Sequence, residues 1–136
     1  MKNHKFSKII LFIFLLLTFI SCEHAVDCIK ERKPNLISKE LKTGSVFVMY
    51  NDNVTYEMLN TRTDEYRIDS ASIEGNLPPG LNYSINNHNV TLSGIPKKNG
   101  TYEFTVSITV TPLNDNDETD SLCESSTSKK YKITIQ

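Results

Sequence analysis

Along residues 101–110 the chain alternates with a period of two. Tyr102, Phe104, Val106, Ile108 and Val110 are apolar, and Thr101, Glu103, Thr105, Ser107 and Thr109 between them are polar. A strand turns successive side chains to opposite faces, so this run predicts one face in a core and one, rich in hydroxyls, in water. Tyr131, Ile133 and Ile135 repeat the pattern near the C-terminal end. Shorter runs predict strands over 45–50, 54–59, 66–73, 83–85 and 90–92. Between them fall turn-forming clusters: Asn51-Asp52-Asn53, Pro78-Pro79-Gly80, Asn86-Asn87-His88-Asn89 and Lys97-Lys98-Asn99-Gly100. Helical spacing persists nowhere beyond the first 22 residues. The pattern predicts an all-β fold, a Greek-key sandwich of about seven strands.

The first residues follow a different rule. Lys2, Lys5 and Lys8 precede an apolar run of twelve, Ile9 to Ile20, interrupted only by Thr18. A helix spanning the hydrocarbon core takes roughly 20 residues, so the run has the length of a signal sequence. Phe19-Ile20-Ser21-Cys22 then resembles the lipobox of bacterial lipoproteins, with Phe in place of the usual Leu. The resemblance implies cleavage before Cys22, a diacylglyceryl group on its sulfur and a further acyl chain on its freed amino group. The chain thus divides into a signal peptide (1–21), a tether (22–34) and a β-sandwich domain (35–136). Two or three acyl chains make a durable membrane anchor where one gives only reversible binding. Glu23, rather than Asp, after the cysteine makes the outer membrane the favoured address.

Loss of the leader takes 15 basic residues to 12 against 16 acidic ones, a net charge near −4. An acidic exterior without a basic cluster argues against nucleic acid as a partner. Three cysteines are present. With Cys22 assigned to lipid, Cys28 and Cys123 remain in an oxidising compartment and are expected to form a disulfide, the alternative being two unpaired thiols. Closing a loop of about 95 residues would contribute roughly 4–5 kcal/mol in loop-entropy terms. Neither cysteine belongs to a CxxC, which disfavours metal binding and thiol chemistry.

From Leu77 onward three motifs follow in order: Leu77-Pro78-Pro79-Gly80-Leu81, Leu92-Ser93-Gly94-Ile95-Pro96, and Gly100-Thr101-Tyr102-Glu103-Phe104-Thr105-Val106. Together they resemble the putative Ig domain of bacterial surface proteins, a relative of cadherin-like and dystroglycan-type sandwiches. Gly44 with Phe47 is similar to that family's earlier G-x-x-Y/F strand, so the resemblance covers about Leu41 to Val110. It implies that the double proline stiffens a crossover between sheets, that Gly80 permits a sharp turn, and that Gly94-Ile95-Pro96 bends the chain out of one sheet. Ile95 departs from the family's usual Thr, and the chain continues past Val110 into an added loop and last strand.

Residues 114–120 (NDNDETD) gather carboxylates and amides suited to a hard cation such as calcium. The stretch lacks the turn Gly and distal Glu of an EF-hand loop, so a solvated acidic loop is the expectation and no metal site is assigned. His24 lies in the tether and His88 in an Asn-rich turn, and no GxSxG elbow is present, so no catalytic residue and no cofactor is assigned. The leading expectation is a non-enzymatic, lipid-anchored envelope protein whose Ig-like domain binds a protein or glycan. A structural or accessory subunit of a larger envelope assembly, and a calcium-stabilised adhesion module, are the alternatives.

Overall fold

The computed structural model describes residues 31–114 and 122–136. Seven strands follow in order: β1 (Lys33–Leu36), β2 (Tyr50–Leu59), β3 (Tyr66–Gly75), β4 (Leu81–Ile85), β5 (Asn89–Gly94), β6 (Gly100–Pro112) and β7 (Ser126–Ile135). They form two antiparallel sheets, β1-β2-β5-β4 and β3-β6-β7. This is the strand order of a seven-stranded Ig-like sandwich, so the fold read from periodicity is the fold observed.

The alternation in β6 does what period two requires. Phe104, Val106, Ile108 and Val110 are buried, and opposite them Tyr131, Ile133 and Ile135 of β7 complete one wall of the core. Tyr50, Val54, Tyr56 and Met58 of β2 with Val90 and Leu92 of β5 form the other wall. The rings of Phe104 and Tyr131 lie 6.4 Å apart within the core.

Three expectations needed correction. Lys33 and Pro34, read as the end of the tether, already pair with Leu59 and Met58. Proline is tolerated there because β1 is an edge strand. Asn51-Asp52-Asn53, read as a turn, runs straight through β2, with Asn51 and Asn53 facing out and Asp52 facing in. The strand expected over 45–50 is a loop up to Tyr50, where β2 begins; Phe47 in that loop is exposed, and Tyr50 occupies the core. In β3 a bulge between Ile68 and Ser70 shifts the register by one residue. Without it Ser70 and Ser72 would face inward; with it Ala71 and Ile73 pack against the core.

Two of the chain's crossings between sheets behave as the family motifs imply. Pro78 and Pro96 are fully buried where β3 crosses to β4 and β5 to β6. Gly80 and Gly94 hold φ of +97° and +142°, and a Cβ on either would stand 2.1 Å from the Ile95 carbonyl oxygen or 2.2 Å from that of Gly80. Two backbones meet here with no room for a side chain.

Candidate functional site

The sandwich has two poles and two flanks. Lys33 lies opposite Leu59 and Tyr50 opposite Gly94, so the tether enters at one pole and the loops before β2 and after β5 lie at the other. On one flank, β1 lies beside β7. There the segment after β1 leaves its sheet and joins the second, where Gly44 pairs in parallel with Ile135. The Gly44 N–H donates to the Thr134 carbonyl (2.9 Å) and the Val46 N–H to that of Gln136 (2.8 Å). The Tyr131 hydroxyl donates to the Ile37 carbonyl (2.8 Å), and the Lys129 ammonium donates to the Leu36 carbonyl and to Ser38.

Asp52 holds the crossing segment. Its carboxylate accepts from the Lys39 ammonium (2.6 Å), the Lys42 N–H (2.9 Å) and the Asn53 N–H (2.8 Å). Burial alone would raise this carboxyl, but those three donors and the Lys39 charge outweigh it and hold it below its ordinary value. Burial, with the neighbouring Asp52 charge, pushes the Tyr50 hydroxyl well up, and burial pushes Tyr131 up to about 12. These groups are bound into the fold, and their shifts belong to structure.

The outer face of the β1-β2-β5-β4 sheet is different. In register across three strands lie Asn51, Ser93 and Asn82, then Asn53, Thr91 and Ser84. Thr55 and Asn89 continue the next row, and Asn86 follows β4. Every one of these nine side chains is an uncharged amide or hydroxyl. A shallow groove of about 510 Å³ runs over five of them, Asn51, Asn53, Asn86, Asn89 and Thr91, and is bordered by Lys42 and Asp52. Each amide carries both donors and acceptors in a fixed plane, so the grid can hydrogen-bond a polar, uncharged ligand at several points together. The signal was in the sequence as Asn at alternate positions, which the turn-forming habit of Asn obscured.

The second flank is open. Among the described residues β3 pairs with β6 alone and β4 with β5 alone. Between these two edges run the Ile68 N–H to the Asn87 carbonyl (2.9 Å) and the Tyr83 hydroxyl to the Ala71 carbonyl (3.2 Å). Tyr83 and Ile85 on the core-facing side of β4 stay 41% and 42% exposed. An unpaired strand above half-covered apolar side chains is a template for an added strand.

Of the residues singled out from sequence, Cys22, Cys28, His24 and the acidic run from Asp115 to Asp120 lie outside the described residues. Cys123 lies beside the start of β1, its N–H donating to the Arg32 carbonyl (3.0 Å). His88 is exposed in its turn, with its N–H on the Asn86 side-chain oxygen. Among the described residues no three His, Cys, Asp or Glu side chains gather as a metal-ligand set, and no helix is long and apolar enough to cross a membrane.

The model of the putative Ig domain family matches residues 34–136. The chain belongs to that family. Its fold likeness extends to solved structures. An endo-fucoidan hydrolase of glycoside hydrolase family 107, MfFcnA4, is 19% identical, with TM-score 0.49 over 76% of this chain and 14% of that one. Titin domain M7 is 13% identical, with TM-score 0.47 over 77% of this chain and 95% of that one. The sialic acid binding region of a Streptococcus sanguinis SK1 adhesin is 13% identical, with TM-score 0.50 over 78% and 30%. This Ig domain thus spans a small part of the hydrolase, and at such identities the likeness is one of fold. No curated protein matches the chain.

Proposed function

We propose that this protein is a non-enzymatic, lipid-anchored module of the bacterial cell envelope whose Ig domain binds a neutral glycan. The observation that carries the binding half is the grid of nine uncharged amides and hydroxyls on the β2-β5-β4 face. Sugars offer dense arrays of hydroxyls that are donor and acceptor together, and an uncharged surface gives up less hydration on meeting them than an ionic one. The anchoring half is carried by the lipobox-like Phe19–Cys22 and rests on sequence.

The test is a titration of the isotope-labelled protein with neutral and acidic oligosaccharides. Shifts at Asn51, Asn53, Asn89 and Thr91, lost in an Asn53→Ala/Asn89→Ala variant, support the reading. Silence across the whole panel removes it. Fractionation of a Cys22→Ala variant reads the anchor separately, since a variant still found with membranes sinks that half. Cys28 and Cys123 are proposed to join, which mass measurement before and after reduction decides.

The open β3 edge favours a second reading, an accessory subunit that receives an extended strand from an envelope assembly. A stoichiometric complex lost when Ile73→Pro blocks that edge would establish it.

A further inference from the structure

Eight large apolar side chains are exposed among the described residues, and four of them share the pole away from the tether: Phe47 (77% exposed), Met49 (68%), Val48 (57%) and Ile95 (46%). They form one tip. The Phe47 N–H donates to the Pro96 carbonyl (2.9 Å), and the Val48 N–H to that of Ser45 (3.3 Å), so both loops are held together. Phe47 sits at φ +61°, in the left-handed region that glycine fills without strain and a bulky side chain does not. The fold thus holds a strained aromatic ring out in water, and strain of that kind concentrates at working surfaces.

Charge says what the tip fits. Lys97 and Lys98 stand exposed just past Pro96, and the loops 44–49, 76–80 and 95–99 contain no acidic residue. The opposite pole carries charges of both signs, with Asp64 and Glu65 paired to Arg62 and Lys33 to Glu31. We propose that Phe47, Val48, Met49 and Ile95 enter the interface of an anionic lipid bilayer, with Lys97 and Lys98 on its headgroups. Apolar side chains backed by lysines suit such an interface, and a pole of paired charges offers it nothing comparable.

The chain outside the structure supplies the membrane. This point rests on the anchored reading of Cys22. Ten residues separate it from the start of the described domain at Lys33, an extended reach of roughly 35 Å. A ten-residue strand such as β2 is about 34 Å long. The tether is therefore long enough for the domain to lie along the bilayer and bring its far pole down to it. Held this close, weak insertion acts as a second membrane signal beside the lipid.

The chain contains no tryptophan, so Phe47→Trp in the full chain is a reporter at the tip alone. The expected result with anionic vesicles is a blue-shifted emission quenched by brominated lipid, much weaker in purely zwitterionic vesicles. Tyr83→Trp, on the flank, should show neither. Lys97→Ala and Lys98→Ala should each weaken the partition about fivefold. Phe47→Gly, which relieves the backbone, should fold and abolish insertion. If Phe47→Trp does not fold, Met49→Trp reports the same tip. An emission unchanged by either vesicle overturns the proposal, and a lipid-free shift that grows with protein concentration overturns it in favour of a second copy. Run with Cys22 intact and as Cys22→Ala, the assay separates the two readings: membrane fractionation judges the anchor and tip emission judges insertion.

Discussion

The two flanks of the sandwich are closed to very different degrees. On the β1–β7 flank the chain crosses from one sheet to the other, and Asp52, Tyr131, Lys129 and the Gly44–Ile135 pairing tie the crossing down. On the β3–β4 flank the chain crosses only at one end, through residues 76–80, and among the described residues the edges are spanned by the Tyr83–Ala71 side-chain bond and the Ile68–Asn87 backbone bond. The hydrophobic core is common to both, so what differs is polar and local. One flank spends its polar groups on itself, and the other leaves a strand edge and two half-covered apolar side chains facing solvent. Stability should therefore concentrate on the first flank and adaptability on the second.

The largest effect that would test this contrast is at Asp52. Asp52→Ala removes the acceptor of three hydrogen bonds and leaves the Lys42 N–H without its partner, an expected loss of about 3 kcal/mol in chemical denaturation. Lys39 can turn to solvent, which keeps the loss from growing further. The pH dependence follows from the lowered pKa. The stabilisation is whole above the ordinary carboxyl value of 3.8 and is lost as pH falls through the lower folded value. Asp52→Asn should flatten that part of the acid-unfolding curve, and an unchanged curve would show that the carboxylate is not what holds the crossing.

Next in size is Gly44→Ala. A Cβ there would meet Ile135 at 2.7 Å and the Tyr50 ring at 2.9 Å, both inside the closed flank. The expected loss is about 2 kcal/mol, read from a thermal melt, and it comes from overpacking. A paired comparison of tyrosines then tests bonds against burial. Tyr131→Phe breaks the bond to Ile37 and should lose about 1 kcal/mol. Tyr56 has a buried hydroxyl with no hydrogen-bond partner among the described residues, so Tyr56→Phe should be neutral or stabilising. Equal losses in the two variants would mean that the flank's hydrogen bonds add nothing beyond the core.

Period two made the core legible in advance, because burial of one face of β6 and β7 writes itself into the sequence residue by residue. The glycine and proline motifs at the crossings were legible for a similar reason: only those residues satisfy the backbone there. What escaped was decided by contacts between distant segments. Asn51-Asp52-Asn53 has the composition of a turn, and only the arrival of Lys39 and Lys42 gives Asp52 a reason to face inward within a strand. The same misreading hid the amide grid, whose rows come from three strands and exist only once their register is set. Phe47 escaped because a run such as Val46-Phe47-Val48-Met49 reads as core, and nothing local reveals a left-handed residue. The bulge at Asp69 is also silent in sequence, since Ser70 and Ser72 fit the strict alternation as well as Ala71 and Ile73 do.

The smallest effect is expected where the contrast predicts weakness. Tyr83→Phe removes the side-chain bond across the open flank, yet the Ala71 carbonyl it releases lies at an exposed edge where water replaces the hydroxyl. The ring stays in place, so no apolar contact is lost. The expected change in stability is within about 0.5 kcal/mol, the range of ordinary surface substitutions. Its value lies in comparison with Tyr131→Phe, which makes the same chemical change on the closed flank. A loss at Tyr83 as large as that at Tyr131 would mean the two flanks are tied alike. β3 would then be held too firmly to accept an added strand, and the second functional reading would lose its physical basis.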